Sequence, residues 1–144
     1  MYIFDGAMGT MLQAAGLEEG YCPELFNVER PEVVKNIHAQ YLQHGSDVIT
    51  TNTFGACGLK LEDYDLQDRV KEINIAAVKV AKKAIAEFKP SARVAGSMGP
   101  TGRFLQPLGN MSFDSIYDTY REQAEALIEG GVDFIIIETI IDVQ

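Results

Sequence analysis

Four short apolar segments recur along the chain and predict β-strands. They lie at residues 2–5, 47–53, 93–97 and 133–139, and their apolar residues run on instead of alternating with polar ones. Continuous apolar runs of this length are typical of strands that are covered on both faces of a sheet. We therefore predict four strands within one buried sheet.

Helices are predicted between these strands, because apolar residues there return every three or four positions. One helix begins near Pro31, a residue suited to a first helical turn, and ends near Gly45. A second helix covers about 68–88, and a third follows Ser112 as N-cap and ends near Gly130. Strands that alternate with helices indicate βαβ units, so the predicted fold class is α/β with a parallel sheet.

Two of the predicted strands have similar surroundings. Residues 45–53 (GSDVITTNT) align with residues 131–139 (GVDFIIIET), which brings a helix-ending glycine, a strand-opening aspartate and a closing polar-Thr pair into register. The same supersecondary unit therefore occurs twice. In this alignment Asn52 and Glu138 are equivalent residues, both at the carboxyl end of a predicted strand.

Polar side chains stand at the carboxyl end of every predicted strand. Parallel α/β folds form their sites at this edge, where loops and helix N-termini converge. Each such residue could instead begin a loop and face water, but four strands that all end in this way favour one shared pocket. The residues expected there are Asp5, Asn52, Thr53, Ser97 and Glu138.

Two glycine-rich loops follow predicted strands. In DGAMGT, residues 5–10, glycine allows a close backbone approach to a ligand, although a tight strand-to-helix turn would explain the loop equally well. The second loop, GSMGPTGR, covers residues 96–103. Neither loop has the GxGxxG pattern or the lysine of a phosphate-binding loop, which disfavours a nucleotide site.

The charge and the ends of the sequence argue against several classes of partner. A formal net charge of -9 disfavours nucleic acid and anionic membranes. The N-terminus lacks a secretory signal pattern, and no apolar run is long enough to span a bilayer. With 47% hydrophobic residues the chain can form a real core. We therefore expect a soluble, cytoplasmic protein.

Cysteine and histidine do not indicate a metal site. Cys22 and Cys57 are far apart and lack a CxxC spacing, which is typical of free thiols in a reducing compartment. His38 and His44 are six positions apart on one predicted helix and so should point to different faces. The sequence therefore predicts no zinc site within the chain.

The four strand-end motifs together resemble a known family. DGAMGT, GSDVITTNTFGA, GSMGPTG and DFIIIET, in this order, are similar to the homocysteine S-methyltransferase domain, most closely the N-terminal domain of cobalamin-dependent methionine synthases. The resemblance covers essentially the whole chain. Methyltransferases that depend on betaine or S-methylmethionine share this framework, so the methyl donor stays open.

The resemblance implies a (β/α)8 TIM barrel, which takes roughly 250 residues. Because the chain has 144 residues, residues 1–144 are expected to be a single partial domain, the first half of the barrel with about four βα units. The strand order is implied by the resemblance and not by the periodicity. The remaining half of the barrel and the cobalamin and folate domains are the expected partners in the intact enzyme.

The resemblance also implies a chemistry. In the intact enzyme a zinc-bound homocysteine thiolate would take a methyl group from methylcobalamin and give methionine. The three zinc-binding cysteines of the family lie in later strands, and Cys22 and Cys57 do not match them. Neither zinc nor cobalamin is therefore expected on this chain alone, which should be inactive by itself with no catalytic residue of its own.

Substrate recognition is what the resemblance assigns to this half. Asp5 and Glu138 match positions that bind the homocysteine ammonium group. Backbone N–H groups of Gly6, Ala7 and Met8 are placed for its carboxylate, and Asn52 and Thr53 are expected to line the same pocket.

Two other interpretations stay open. A half-barrel exposes two sheet edges, so the chain could be a module that binds a partner or forms a homo-oligomer. A complete small flavodoxin-like domain, which would bind a phosphate-bearing cofactor, is the third.

Overall fold

The computed structural model describes residues 1–140, so the last four residues of the predicted domain lie outside the described part of the chain. Its sheet has three parallel strands in the order β1, β2, β3: Val48–Thr50, Arg93–Met98 and Phe134–Ile137. A single parallel bridge joins Phe4 to Val48 and adds the N-terminal segment beside β1. The prediction of an α/β fold with parallel strands is confirmed.

Six α-helices are present in residues 1–140, three of them long. The long helices begin and end close to the predicted residues. Ser112 caps the last of them, since its Oγ accepts a hydrogen bond from Ser115 N at 3.2 Å. Short 3-10 helices occupy Pro23–Leu25, Glu62–Tyr64 and Gln67–Arg69. The α-helices are α1 Gly9–Ala14, α2 Phe26–Glu29, α3 Pro31–Gln43, α4 Gly58–Leu61, α5 Val70–Phe88 and α6 Phe113–Gly130.

The repeated unit that the sequence indicates has the same structure at both places. The aspartate that opens β1, Asp47, accepts a hydrogen bond from Ile3 N at 3.1 Å, and its own N–H donates to Ile3 O at 2.7 Å. Asp133 before β3 makes the same pair of bonds with Val94, at 2.7 and 2.9 Å. Each aspartate therefore fixes the register between its strand and the preceding one.

The helices cover one face of the sheet. On β1 and β2, Ile49 and Val94 are register partners, and both pack against Leu42 of α3 and Ala81 of α5. Leu127 of α6 packs against Gly96, where an added Cβ would lie 3.1 Å from it. Alternate residues point to the opposite, inner face of the sheet, which therefore includes Thr50, Ser97 and Ile136.

The first predicted strand is wrong in its extent and in its burial. Residues 2–5 form no strand beyond the bridge at Phe4, and that side chain is 46% exposed. At the other edge of the sheet, Ile137 of β3 is 69% exposed. Both segments lie at an edge of the sheet, and each leaves part of its apolar run exposed, whereas the sequence predicts cover on both faces.

None of the helices in residues 1–140 combines the length and the apolarity needed to cross a bilayer.

Candidate functional site

A cavity of about 690 Å³ lies at the carboxyl ends of the strands, over the inner face of the sheet. Its wall includes seven of the eight residues that sequence analysis expects at the site, all except Thr53. The lining residues are Phe4, Asp5, Gly6, Ala7, Met8, Gly9, Thr10, Pro23, Glu24, Thr50, Thr51, Asn52, Phe54, Ser97, Ile136 and Glu138.

The charged side chains in this wall are all acidic. Asp5, Glu24 and Glu138 line the cavity, whereas none of the lining residues is a lysine, an arginine or a histidine. Three carboxylates around one small volume repel each other unless a cation or a proton joins them. Within the described residues, the cavity is therefore suited to a positively charged group.

Asp5 is held by Thr50, at the end of β1. Its two carboxylate oxygens accept hydrogen bonds from Thr50 N and Thr50 Oγ1, each at 2.7 Å. Burial raises the pKa of Asp5 above its ordinary value, and the nearby charge of Glu138 raises it further, against the lowering effect of the Thr50 hydrogen bonds. The raised pKa indicates a carboxylate that would gain from a cationic partner.

Glu138 follows β3 and continues its pairing with β2. Its N–H donates to Met98 O at 3.0 Å, and its Oε1 accepts from Ser97 Oγ at 2.6 Å. A short bond from a hydroxyl to a carboxylate fixes the side chain against β2. The carboxylate within the apolar run DFIIIET therefore has a partner and faces the cavity.

The Gly6–Met8 turn is anchored by Tyr41 of α3. Tyr41 Oη donates to Ala7 O at 2.8 Å, and an added Cβ on Gly6 would lie only 3.1 Å from the same Oη. Among the described residues, the hydrogen bonds of this turn use its carbonyl groups, and its N–H groups stay available for an anion. Tyr41 thus fixes the turn through its phenol, a contact that its helical periodicity could not reveal.

Asn52 and Thr53 have different positions relative to the cavity. Asn52 lines the cavity, with its Nδ2 donating to Pro23 O at 2.8 Å. Thr53 is fully buried and is not among the lining residues. Its Oγ1 donates to Ser97 O at 2.7 Å and lies 2.6 Å from Thr51 Oγ1, so it ties β1 to β2.

Glu24 is a site residue that sequence analysis misses. It is 6% exposed, and its Oε1 accepts from Gly55 N at 2.7 Å. A glutamate between a proline and a leucine in a 3-10 helix carries no strand-end signal. The only hint in the sequence is an acidic residue inside the otherwise apolar segment YCPELF.

The cysteines do not fit a zinc site. Burial, together with the nearby charge of Glu24, raises the pKa of Cys22 to about 12, and burial also raises the pKa of Cys57. A cysteine that binds zinc does so as the thiolate, which a lowered pKa favours. Within residues 1–140, no group of three or more His, Cys, Asp or Glu side chains is placed to hold a metal ion.

Comparison with known proteins identifies one family. The sequence model described as homocysteine S-methyltransferase matches residues 2–144. The chain is 41% identical over 145 residues to a methionine synthase of Mycobacterium tuberculosis and 38% identical to one of Mycobacterium leprae. In both cases the match covers 94% of this chain and 12% of the relative.

Solved structures agree with this result. The metallated form of the homocysteine methyltransferase MmuM from Escherichia coli aligns with a TM-score of 0.80 and 28% identity, over 96% of this chain and 54% of that one. The oxidized form gives 0.77 and 27%, over 94% and 51%. The chain therefore spans about half the length of these solved relatives and about an eighth of the methionine synthases.

Proposed function

Because the chain belongs to the homocysteine S-methyltransferase family, we propose that residues 1–144 are one partial domain, the amino-acid-binding half of a homocysteine methyltransferase barrel. The matched share of the MmuM structures, 51% to 54%, supports a half-barrel. Two relatives are named methionine synthase, which supports a reaction of the methionine synthase type. Methylcobalamin as the methyl donor, in place of betaine or S-methylmethionine, is part of the proposal.

One observation carries the proposal: among the described residues, the cavity at the strand ends is lined by three carboxylates and no positively charged side chain. In the proposed complex, Asp5 and Glu138 accept hydrogen bonds from the homocysteine ammonium group. The N–H groups of the Gly6–Met8 turn face its carboxylate, and Asn52 adds an amide to the wall. A charged hydrogen bond of this kind contributes about 1.5–3 kcal/mol.

Methyl transfer needs groups that the described residues do not supply. In the proposed intact enzyme, zinc would activate the thiol and methylcobalamin would provide the methyl group, giving methionine. The donor set of residues 1–140 does not fit zinc, so we assign both cofactors to other parts of that enzyme, together with the second half of the barrel and the cobalamin and folate domains. This chain binds and orients the amino acid.

The 144-residue chain alone is therefore expected to give little or no methyl transfer to homocysteine. Methionine formation from methylcobalamin should be measured for the chain alone and for a chimera. The chimera joins the chain to the residues that follow the matched region in the Mycobacterium tuberculosis methionine synthase. Turnover by the chimera only is the expected result, and turnover by the chain alone at a comparable rate would refute the proposal.

A second candidate is a module that associates with a copy of itself. The exposed Phe4 and Ile137 at the two edges of the sheet favour this candidate, since apolar strand edges tend to pair with other chains. Sedimentation velocity over a range of concentrations distinguishes the two. A monomer at all concentrations would count against self-association.

A cytoplasmic location is also part of the proposal. It is supported by Cys22 and Cys57, which are free thiols in the structure, as expected in a reducing compartment.

A further inference from the structure

One turn of the cavity wall is held by several hydrogen bonds, most of them from distant segments of the chain. The Phe54 turn, residues 53–56, is closed by Ala56 N donating to Thr53 O at 3.0 Å. Gly99 N donates to Phe54 O at 3.0 Å, and Gly55 N donates to Glu24 Oε1 at 2.7 Å. Loops at a protein surface usually leave several such groups to water.

Two buried amide side chains also donate hydrogen bonds to this turn, and neither of them lines the cavity. Gln123 of α6 is fully buried, and its Nε2 donates to Thr53 O at 2.8 Å. Asn74 of α5 is also fully buried, and its Nδ2 donates to Ala56 O at 2.9 Å. Gln123 Nε2 also lies 3.4 Å from Asn74 Oδ1, so the two amides form one cross-link beneath the turn.

Gln123 makes this contact at a cost to the fold. Its Oε1 is buried without a hydrogen-bond partner among the described residues. The donor bond to Thr53 O fixes the amide orientation, so the unpaired atom is the oxygen. Thr53 O already accepts from Ala56 N and would stay paired without Gln123. The hydrogen bond from Gln123 is therefore not needed to pair Thr53 O, and it leaves the Gln123 oxygen buried without a partner. Stability alone does not explain a glutamine at this position.

The side chain presented by this turn supplies the reason. Phe54 lines the cavity and is 42% exposed, and its ring packs so closely on Gly99 that an added Cβ there would lie 2.7 Å from the ring. An aromatic ring fixed in this way provides a rigid apolar wall next to the three carboxylates. Such a wall fits the two methylene groups of homocysteine.

We propose that Gln123 is a positioning residue for the homocysteine pocket: from α6 it fixes the Phe54 turn, and through that turn the place of the Phe54 ring. This inference rests on the proposed function. It adds to the proposed pocket a residue that is distant from the other site residues in the sequence. Gln123 does not touch the substrate and acts only through the turn.

The test compares Gln123→Met, which keeps the length of the side chain but loses the donor, with Ala126→Gly. Ala126 is 3% exposed on the same helix, so its substitution loosens α6 without touching the turn. Gln123→Leu serves as the second variant, because it also lacks the donor and places no ionisable group in the buried position. Amide hydrogen exchange of Gly55 and Ala56 is measured in the 144-residue chain, and homocysteine kinetics in the chimera described above.

Loss of the donor is expected to speed amide exchange at Gly55 and Ala56 at least about tenfold. In the chimera it should raise the homocysteine KM about five- to tenfold, with kcat changed less than about twofold. Ala126→Gly should leave KM unchanged. In a Phe54→Ala background, Gln123→Met should add less than about twofold to KM, because the two residues act as one unit.

Unchanged exchange at the turn, or a KM effect of Gln123→Met that is fully retained without the Phe54 ring, would overturn the inference. A KM effect of equal size in Ala126→Gly would also overturn it. A wild-type chimera that fails to bind homocysteine would instead remove the proposed function, and the exchange rates would still decide whether Gln123 holds the turn.

Discussion

Replacing Glu138 by alanine is expected to weaken homocysteine binding by roughly 1–3 kcal/mol, which is about five- to 150-fold in affinity. The carboxylate lines the cavity and is held in place by Ser97 Oγ at 2.6 Å. Its removal leaves the substrate ammonium group with one charged partner fewer in a partly buried site. Ser97 also loses its acceptor, which adds to the effect.

The homocysteine Michaelis constant of the chimera measures this effect. Glu138→Gln keeps the size of the side chain and an oxygen for Ser97, and so isolates the contribution of the charge.

Asp5→Asn should act in the same direction, since Asp5 is the second proposed partner of the ammonium group. Glu125→Gln, at an exposed residue of α6, makes the same change in net charge and should have no effect. An unchanged constant in Glu138→Ala would remove this residue from the site.

The stability of the chain is expected to fall by about 2 kcal/mol when the pH is lowered from 7.5 to 5, through His38 alone. His38 is fully buried, and neither ring nitrogen has a hydrogen-bond partner among the described residues. Burial lowers its pKa from 6.5 to about 4. The unfolded chain therefore binds a proton between these values while the folded chain does not, so stability is present above pH 6.5 and is lost as the pH falls towards 4.

Urea unfolding at several pH values checks this prediction. His38→Leu removes the titrating group and should flatten the curve of unfolding free energy against pH. His44→Gln, at the exposed residue that follows the same helix, removes the other histidine, so that the contribution of His38 is measured alone. If His38→Leu and the wild type lost stability in parallel between pH 7.5 and 5, the buried imidazole would not be the cause.

The sequence predicts those elements whose signals are local. The long helices α3, α5 and α6 follow from periodicity, and Ser112 and Gly131 mark the two ends of α6 as expected. The first strand could not be predicted in the same way, because an apolar run becomes a covered strand only if neighbours flank it. Phe4 has β1 on one side only, and its burial therefore depends on contacts that no local pattern encodes.

Some of the predicted site residues line the cavity, and one of them does not. Parallel strands end at one edge of the sheet, so Asp5, Asn52 and Glu138 reach one cavity as the strand-end pattern indicates. Thr53 lies beyond β1, in a turn in which its N–H donates to Thr51 O at 2.9 Å. Its hydroxyl is bound to Ser97 O and lies against Thr51 Oγ1, away from the cavity, and the strand-end pattern does not encode this turn.

Three buried polar residues could not be predicted from the sequence. Glu24, His38 and Gln123 are of residue types that usually lie at the surface, and only the tertiary packing places them inside. Glu24 and Gln123 bind backbone groups of the Phe54 turn, 31 and 70 residues away in the sequence. A contact between distant segments leaves no periodic trace in either segment.

The proposed role of the strand-end carboxylates is to bind the amino group of homocysteine. Calorimetric titration of the chimera with homocysteine and with 4-sulfanylbutanoate, which has the same thiol and carboxylate but no amino group, tests it most directly. We expect loss of the amino group to weaken binding by at least about tenfold, and Glu138→Ala to reduce the difference between the two ligands, with Asp5 left as the remaining partner. Equal affinity of the wild-type protein for both ligands would contradict it.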